Sequence, residues 1–135
     1  AGAANKLRAL IDAGGSAIEG PFDGEEGITL LADLDAGATG NMCSAMIPEL
    51  IKSVVSAHLA GDRAIAAGEY ARILPLINHE NRQCGFRATK AVFKEGGVIE
   101  SEYSRHPIEP LPAQARETLL DLVRALDPVA WSWGH

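Results

Sequence analysis

Two short strand signals, both within the first 43 residues and each preceded by a helix, constrain this chain more than any other feature. Ala3 to Ala13 predicts a helix: Leu7, Leu10 and Ile11 fall at i, i+3 and i+4, and Gly14-Gly15 supplies a stop. Ser16 to Glu19 reads as a strand, broken by Gly20-Pro21-Phe22-Asp23-Gly24. Glu25 to Asp35 reads as a second helix with Ile28, Leu31 and Leu34 inward and Gly37 just past its end; Ala38 to Cys43 reads as a second strand. Helix, strand, helix, strand with short links predicts parallel strands joined by helical crossovers. Two strands do not make a stable sheet on their own, so either the remaining strands lie outside this chain or the strand reading is wrong.

After Pro48 the pattern is helical only. Ile47, Leu50, Ile51, Val54, Val55, His58 and Leu59 share one stripe, ended by Gly61. Asp62 is a good N-cap for a helix to about Ile77. A further helix is expected from about Glu80 to Lys94, closed by Gly96-Gly97. A proline-bearing connection, Val98 to Pro112, leads to a last helix, Ala113 to Leu126, with Leu119, Leu122, Val123 and Leu126 inward. Trp131 and Trp133 lie in the tail.

At 135 residues the chain is the size of one domain, and its 47% hydrophobic content is globular. A net charge of −6 and scattered Lys and Arg argue against nucleic acid or an anionic membrane surface as partner. No apolar run approaches the ~18 residues of a membrane span. Cys43 and Cys84 are too few for a disulfide framework, which favours a reducing cytoplasm. Ala1 in place of Met reads as a processed or truncated start.

The polar groups gather between Glu19 and Ser44. Glu19, Asp23, Glu25 and Glu26 lie at the C-terminal end of a predicted parallel strand, where αβ folds bind ligands. Carboxylates there could hold hydroxyls, a divalent metal or a proton; equally, Glu25 and Glu26 could offset a helix dipole. Gly37-Ala38-Thr39-Gly40 is a weak phosphate loop, because the helix lies before it and no Lys-Ser/Thr follows. Ser44 ends the second strand, and its hydroxyl could touch substrate or cap the next helix. Asn78, His79, Glu80, Asn81 and Arg82 form a cluster that reads as helix-junction hydrogen bonding. His58, His106 and His135 are isolated and lack metal-ligand spacing, so no metal site is expected. Lys6, Lys52 and Lys94 sit at polar helix positions, and none of the four lysines, Lys90 included, is placed as a desolvated nucleophile.

The segments AGAANKLRALI, AIEGPFDGEEGITLLADLDAGATG, LPLINHENRQCG, KEGGVI and RHPIEPL, together nearly the whole chain, resemble the C-terminal half of the dihydrodipicolinate synthase and N-acetylneuraminate lyase family. The long middle segment and LPLINHENRQ are the specific ones. The resemblance implies an α/β fold: the C-terminal part of a (β/α)8 TIM barrel, sixth to eighth helix, over residues 1–60, followed by a C-terminal all-helical region over 61–135. It implies Schiff-base chemistry without cofactor or metal, with the lysine on the sixth strand, just before Ala1. This segment alone is then expected to be inactive.

Within the family the segments resemble a branch that acts on 2-keto-3-deoxy sugar acids such as L-2-keto-3-deoxyarabonate, and this resemblance implies dehydration to a semialdehyde keto acid. A pyruvate-forming aldolase or a dihydrodipicolinate synthase-like enzyme is the alternative within the family, and a non-catalytic half-barrel assembly module the alternative outside it. By resemblance Asp23, Gly24, Glu25 and Ser44 bind the substrate, with Glu26 one residue of register away, and the enzyme is a cytoplasmic homotetramer.

Overall fold

The computed structural model describes residues 2–134; Ala1 and His135, both named above, lie outside the described residues. The chain divides into two compact units, residues 2–43 with 50–72 and residues 44–49 with 73–134.

In the first unit α1 spans Ala3–Gly14. It stops because Gly15 takes a positive φ of 48°, and its N–H bonds the Ile11 carbonyl. None of its residues is buried, and Leu10 is half exposed. A 3₁₀ turn, Gly15–Ala17, follows where a strand was expected. The strand itself, β1, is Phe22–Asp23, beyond the Gly-Pro pair that appeared to end it. It pairs in parallel with β2, Gly40–Asn41, which lies inside the predicted second strand. The N–H of Thr39 donates to Pro21 and that of Met42 to Asp23, so the ladder outruns the assigned residues. Pairing decides where the strand is, and a residue set next to a double-glycine helix stop is used up in turning.

The expected helix Glu25 to Asp35 is also split. Glu25, Glu26 and Gly27 have φ of 51°, 56° and 92°, a left-handed run that no α-helix can contain. A 3₁₀ turn, Glu25–Gly27, therefore precedes a short α2, Leu30–Asp35, whose buried residues are Leu30, Asp33 and Leu34. The turn shifts the phase of the helix, so Leu30 replaces Leu31 on the inner stripe. Ile51 and Val54 of α3, Pro48–Leu59, and Ala66 of α4, Arg63–His79, complete the apolar core of this unit.

In the second unit α4 runs into a π turn, Glu80–Cys84, ended by Gly85 at φ 56°. This break divides the predicted Glu80 to Lys94 helix and leaves α5 as Arg87–Glu95. Helix α6, Ala113–Leu126, has the predicted bounds, but buries Leu119, Leu120 and Val123. Asp127 takes a left-handed φ of 47° and its N–H bonds the Val123 carbonyl, which closes α6 ahead of Pro128. Trp131 belongs to a four-residue α7, Val129–Ser132, whose first N–H is capped by the Glu49 carboxylate at 2.8 Å. The connection from Val98 to Pro112 is pinned through its carbonyls: Arg87 donates to Glu102 and Ile108, and Lys90 to Tyr103. Arg116 adds ion pairs to Glu95 and Glu102.

Candidate functional site

Asp23 closes β1 and Asn41 closes β2, opposite each other in the parallel register. Parallel strands put their C-terminal ends on one side, so the two side chains meet where an αβ fold gathers its polar groups. The Asn41 amide donates to the Asp23 carboxylate and, at 3.4 Å, to its backbone carbonyl. Asp33 reaches the same place from the inner stripe of α2, and its Oδ2 accepts the Thr29 hydroxyl at 2.6 Å. Asp23 is 4% exposed and Asp33 1%, so both carboxyls are cut off from water. Tyr70 of α4 donates its hydroxyl to the Ile28 carbonyl at 2.6 Å, which fixes the far end of the left-handed turn.

Burial, then the hydrogen bond and charge of Asp33, push the Asp23 carboxyl up to about 7, against the lowering effects of Asn41 and the Gly24 N–H. Asp23 therefore keeps its proton in the mildly acidic range and loses it near pH 7. The Tyr70 phenol is also raised, by burial first and then by Asp23 and Asp33. Two buried acceptors of the cluster, Asp33 Oδ1 and Asn41 Oδ1, have no hydrogen-bond partner.

The turn from Gly24 to Gly27 sits on this cluster. The Gly27 N–H closes it onto the Gly24 carbonyl at 3.1 Å. A Cβ on Gly27 would stand 3.3 Å from the end of the Ile51 side chain and 3.5 Å from the Asn41 amide, contacts a small shift relieves, so glycine is favoured here chiefly by its φ of 92°. Of the residues expected at the site, Asp23 is buried beneath the turn, Gly24 is half-buried and Glu25 is exposed at its crest, with Glu26 half-buried beside it. Ser44 belongs to the second unit, is 7% exposed, and pairs with the Thr89 hydroxyl at 3.2 Å while accepting from the Met46 N–H. Asp33, Asn41 and Tyr70 were not singled out from sequence. The one available signal was Asp33, a carboxylate on an otherwise apolar helical stripe.

The other candidates are occupied structurally. Gly37 turns the chain at φ 109° against Ile11, and Gly40 lies under the Phe22 ring. His79 bonds the Ala115 carbonyl at 2.9 Å and Asn81 the Ile77 carbonyl, as a helix junction requires. Among the described residues no group of three or more His, Cys, Asp or Glu could hold a metal, and no helix is long and apolar enough to cross a membrane. An apolar pocket of about 380 Å³ in the second unit is lined by Ala45, Phe93, Val98 and Trp133, and its charged residue, Glu49, caps α7.

The same elements occur in known proteins. The chain is 54% identical over 134 residues to L-2-keto-3-deoxyarabonate dehydratase of Azospirillum brasilense, covering 99% of this chain and 43% of that protein. It is 29% identical over 107 residues to 4-hydroxy-tetrahydrodipicolinate synthase of Synechococcus sp. (strain CC9311), covering 78% and 35%. The crystal structure of dihydrodipicolinate synthase from Rhodopseudomonas palustris superposes with a TM-score of 0.80 at 29% identity, over 90% of this chain and 42% of that one. The chain thus spans less than half the length of the relatives it matches, and its two parallel strands with their helices correspond to part of their barrel. With residues 19–126 matching the family pattern as well, the chain belongs to the dihydrodipicolinate synthetase family.

Proposed function

We propose that this chain is the C-terminal part of a Schiff-base (β/α)8 lyase that dehydrates a 2-keto-3-deoxy sugar acid, L-2-keto-3-deoxyarabonate being the preferred candidate. Residues 1–60 supply the last barrel units and residues 61–135 a C-terminal helical region. The observation that carries the reading is the 54% identity, sustained across 99% of the chain, to a dehydratase of that substrate.

A lysine amine condenses with the C2 ketone, expelling water. The iminium then accepts the electron pair released when a proton leaves C3, giving an enamine. The enamine expels hydroxide from C4 as an acid protonates it, leaving a C3–C4 double bond conjugated with the iminium. A proton then leaves C5 and one adds at C3, and the C4–C5 enol so formed ketonises to the C5 aldehyde. Hydrolysis of the imine frees the lysine and the semialdehyde keto acid. The nucleophilic amine must be desolvated to be neutral at physiological pH. Lys6, Lys52 and Lys94 are exposed and Lys90 is bonded to the Tyr103 carbonyl, so none meets that requirement. The lysine is therefore assigned to the part of the enzyme that precedes this chain, and the segment alone is expected to be inactive.

Asp23, Gly24, Glu25 and Ser44 are assigned to the substrate side. Glu25 and the Gly24 backbone supply hydrogen bonds to sugar-acid hydroxyls, Asp23 supports them from below, and Ser44 contributes from the end of the second strand region. The enzyme works in the cytoplasm as a homotetramer, without metal or cofactor.

Borohydride treatment of the full-length protein with L-2-keto-3-deoxyarabonate tests the reading. Trapping of the substrate on a lysine upstream of this segment, with semialdehyde as the product, is the expected result. Pyruvate release would instead identify an aldolase, and the absence of any covalent adduct would remove the Schiff-base assignment.

A further inference from the structure

The hydrogen bonds around Asp23 leave two buried acceptors to be filled, Asp33 Oδ1 and Asn41 Oδ1. Asp33 Oδ2 takes the Thr29 hydroxyl, while Asp33 Oδ1 is buried with no partner. The groups facing the two carboxyls are Asn41 from β2, Thr29 ahead of α2 and Tyr70 from α4. Asn41 already donates to Asp23, and the Tyr70 hydroxyl is spent on Ile28. Among the described residues no Lys, Arg or His forms an ion pair with either acid. A proton carried by Asp23 satisfies Asp33 Oδ1 and removes one of two like charges from a dry site.

We propose that Asp23 and Asp33 share one proton as a buried acid pair, and that this pair, through Asn41, is the positioning device of the Gly24–Gly27 turn. The second half rests on the assignment of that turn to the substrate side. Asn41 is the mechanical link. It bonds the Asp23 carboxylate and backbone and lies against Gly27, so it connects the pair to both ends of the turn. When the shared proton is lost, repulsion between the carboxylates separates Asp23 from Asp33. The base of the turn is then released, with Glu25 on its crest.

Asp33 and Asn41 act through the turn and do not touch substrate in this scheme. Loss of the proton should therefore weaken substrate binding and leave the chemical step unchanged. A purely structural role for Asp33 would lower the amount of folded enzyme without moving any pH profile.

The test uses the full-length protein and two readouts. Infrared difference spectra across a pH titration report a neutral carboxylic acid directly. The expected result is an acid carbonyl band present at pH 6 and lost with a midpoint near 7. The band should be absent in Asp23→Asn, and its midpoint should fall at least about one pH unit, tenfold in proton affinity, in Asp33→Asn. In steady-state kinetics with a 2-keto-3-deoxy sugar acid, KM should rise about threefold or more from pH 6 to pH 8 at constant kcat, and Asp33→Asn should flatten that rise. A wild-type protein with no neutral carboxylic acid at pH 6 overturns the pair, whatever the variants do. A KM profile identical in wild type and Asp33→Asn overturns the positioning role. If no such substrate is turned over, the proposed function fails, and the infrared titration still decides whether the proton is shared.

Discussion

Helix α2 in the first unit and α6 in the second each bury one stripe of three residues, but the stripes differ in kind. That of α6 is Leu119, Leu120 and Val123. That of α2 is Leu30, Asp33 and Leu34, with the carboxylate as deeply buried as its neighbours. An apolar stripe is held by area removed from water, which is indifferent to pH and to the exact partner. A buried carboxylate is held only while each hydrogen bond and proton is in place. The second unit also buries a carboxylate, Glu80 at the π turn, and there Arg87 and Lys90 grip carbonyls of a connecting segment, but the stripe of α6 itself is apolar. The first unit has given up apolar burial at the ends of its strands, and that is where a site would need polar groups.

The largest effect that could break this contrast is a cavity in the second unit. Leu119→Ala should cost about 2–5 kcal/mol in denaturant unfolding of the full-length protein, with the same loss at pH 5 and pH 8. A pH-dependent loss would mean that α6 is coupled to a titrating core after all.

Next in size is the link in the first unit. Asn41→Ala removes the donor to a buried carboxyl and should cost about 1–3 kcal/mol. Hydrogen exchange should place the loss in peptides covering β1 and α2, while α6 keeps its protection.

The two unusual acids of the first unit should then respond to pH in opposite directions. Asp23 is raised in the folded state, so the native form binds more protons than the unfolded chain between about pH 4 and its folded value of about 7. Its contribution is fully present below about pH 4 and is lost as pH rises through about 7. Asp35 is lowered to about 2 by its hydrogen bonds to Arg63 first and His58 second. Its contribution is present above about pH 4 and is lost as pH falls through about 2. Stability of wild type, Asp33→Asn and Arg63→Ala measured from pH 2 to pH 8 separates the two. The first variant should flatten the neutral limb and the second the acid limb. Arg63 is exposed, so the loss at pH 7 in Arg63→Ala should be a small shift in urea midpoint, less than that of Asn41→Ala.

The smallest expected change is a gain. Glu26 stands at φ 56° in the left-handed turn, and Glu26→Gly should stabilise the protein by up to about 1 kcal/mol, read as a shift in urea midpoint. Were Glu26 strained for binding, the same variant would raise KM while it stabilised.

Much of the helical framework was legible because its signals are local. Helix α6 begins after Pro112 and ends before Pro128, and α3 stops ahead of Gly61; each boundary is written within a few residues of itself. The strand at Ser16 to Glu19 was misplaced because a two-residue strand has no periodicity of its own, and only its partner, Gly40–Asn41, identifies Phe22–Asp23. The inner face of α2 was misassigned because a left-handed turn at Glu25–Gly27 resets the helical phase, and two adjacent glutamates give no warning of positive φ.

The sequence by itself determined the helix–strand rhythm, the family and the acidic turn, since these reside in spacing, glycine and proline positions and long segments that resemble the family. Only the tertiary structure decided that Asp23 faces inward, that Asp33 meets it from α2, and that Asn41 and Tyr70 secure the turn between them. Those groups are up to 47 residues apart, from Asp23 to Tyr70. Their proton and hydrogen-bond states follow from burial and proximity, which spacing along the chain does not encode.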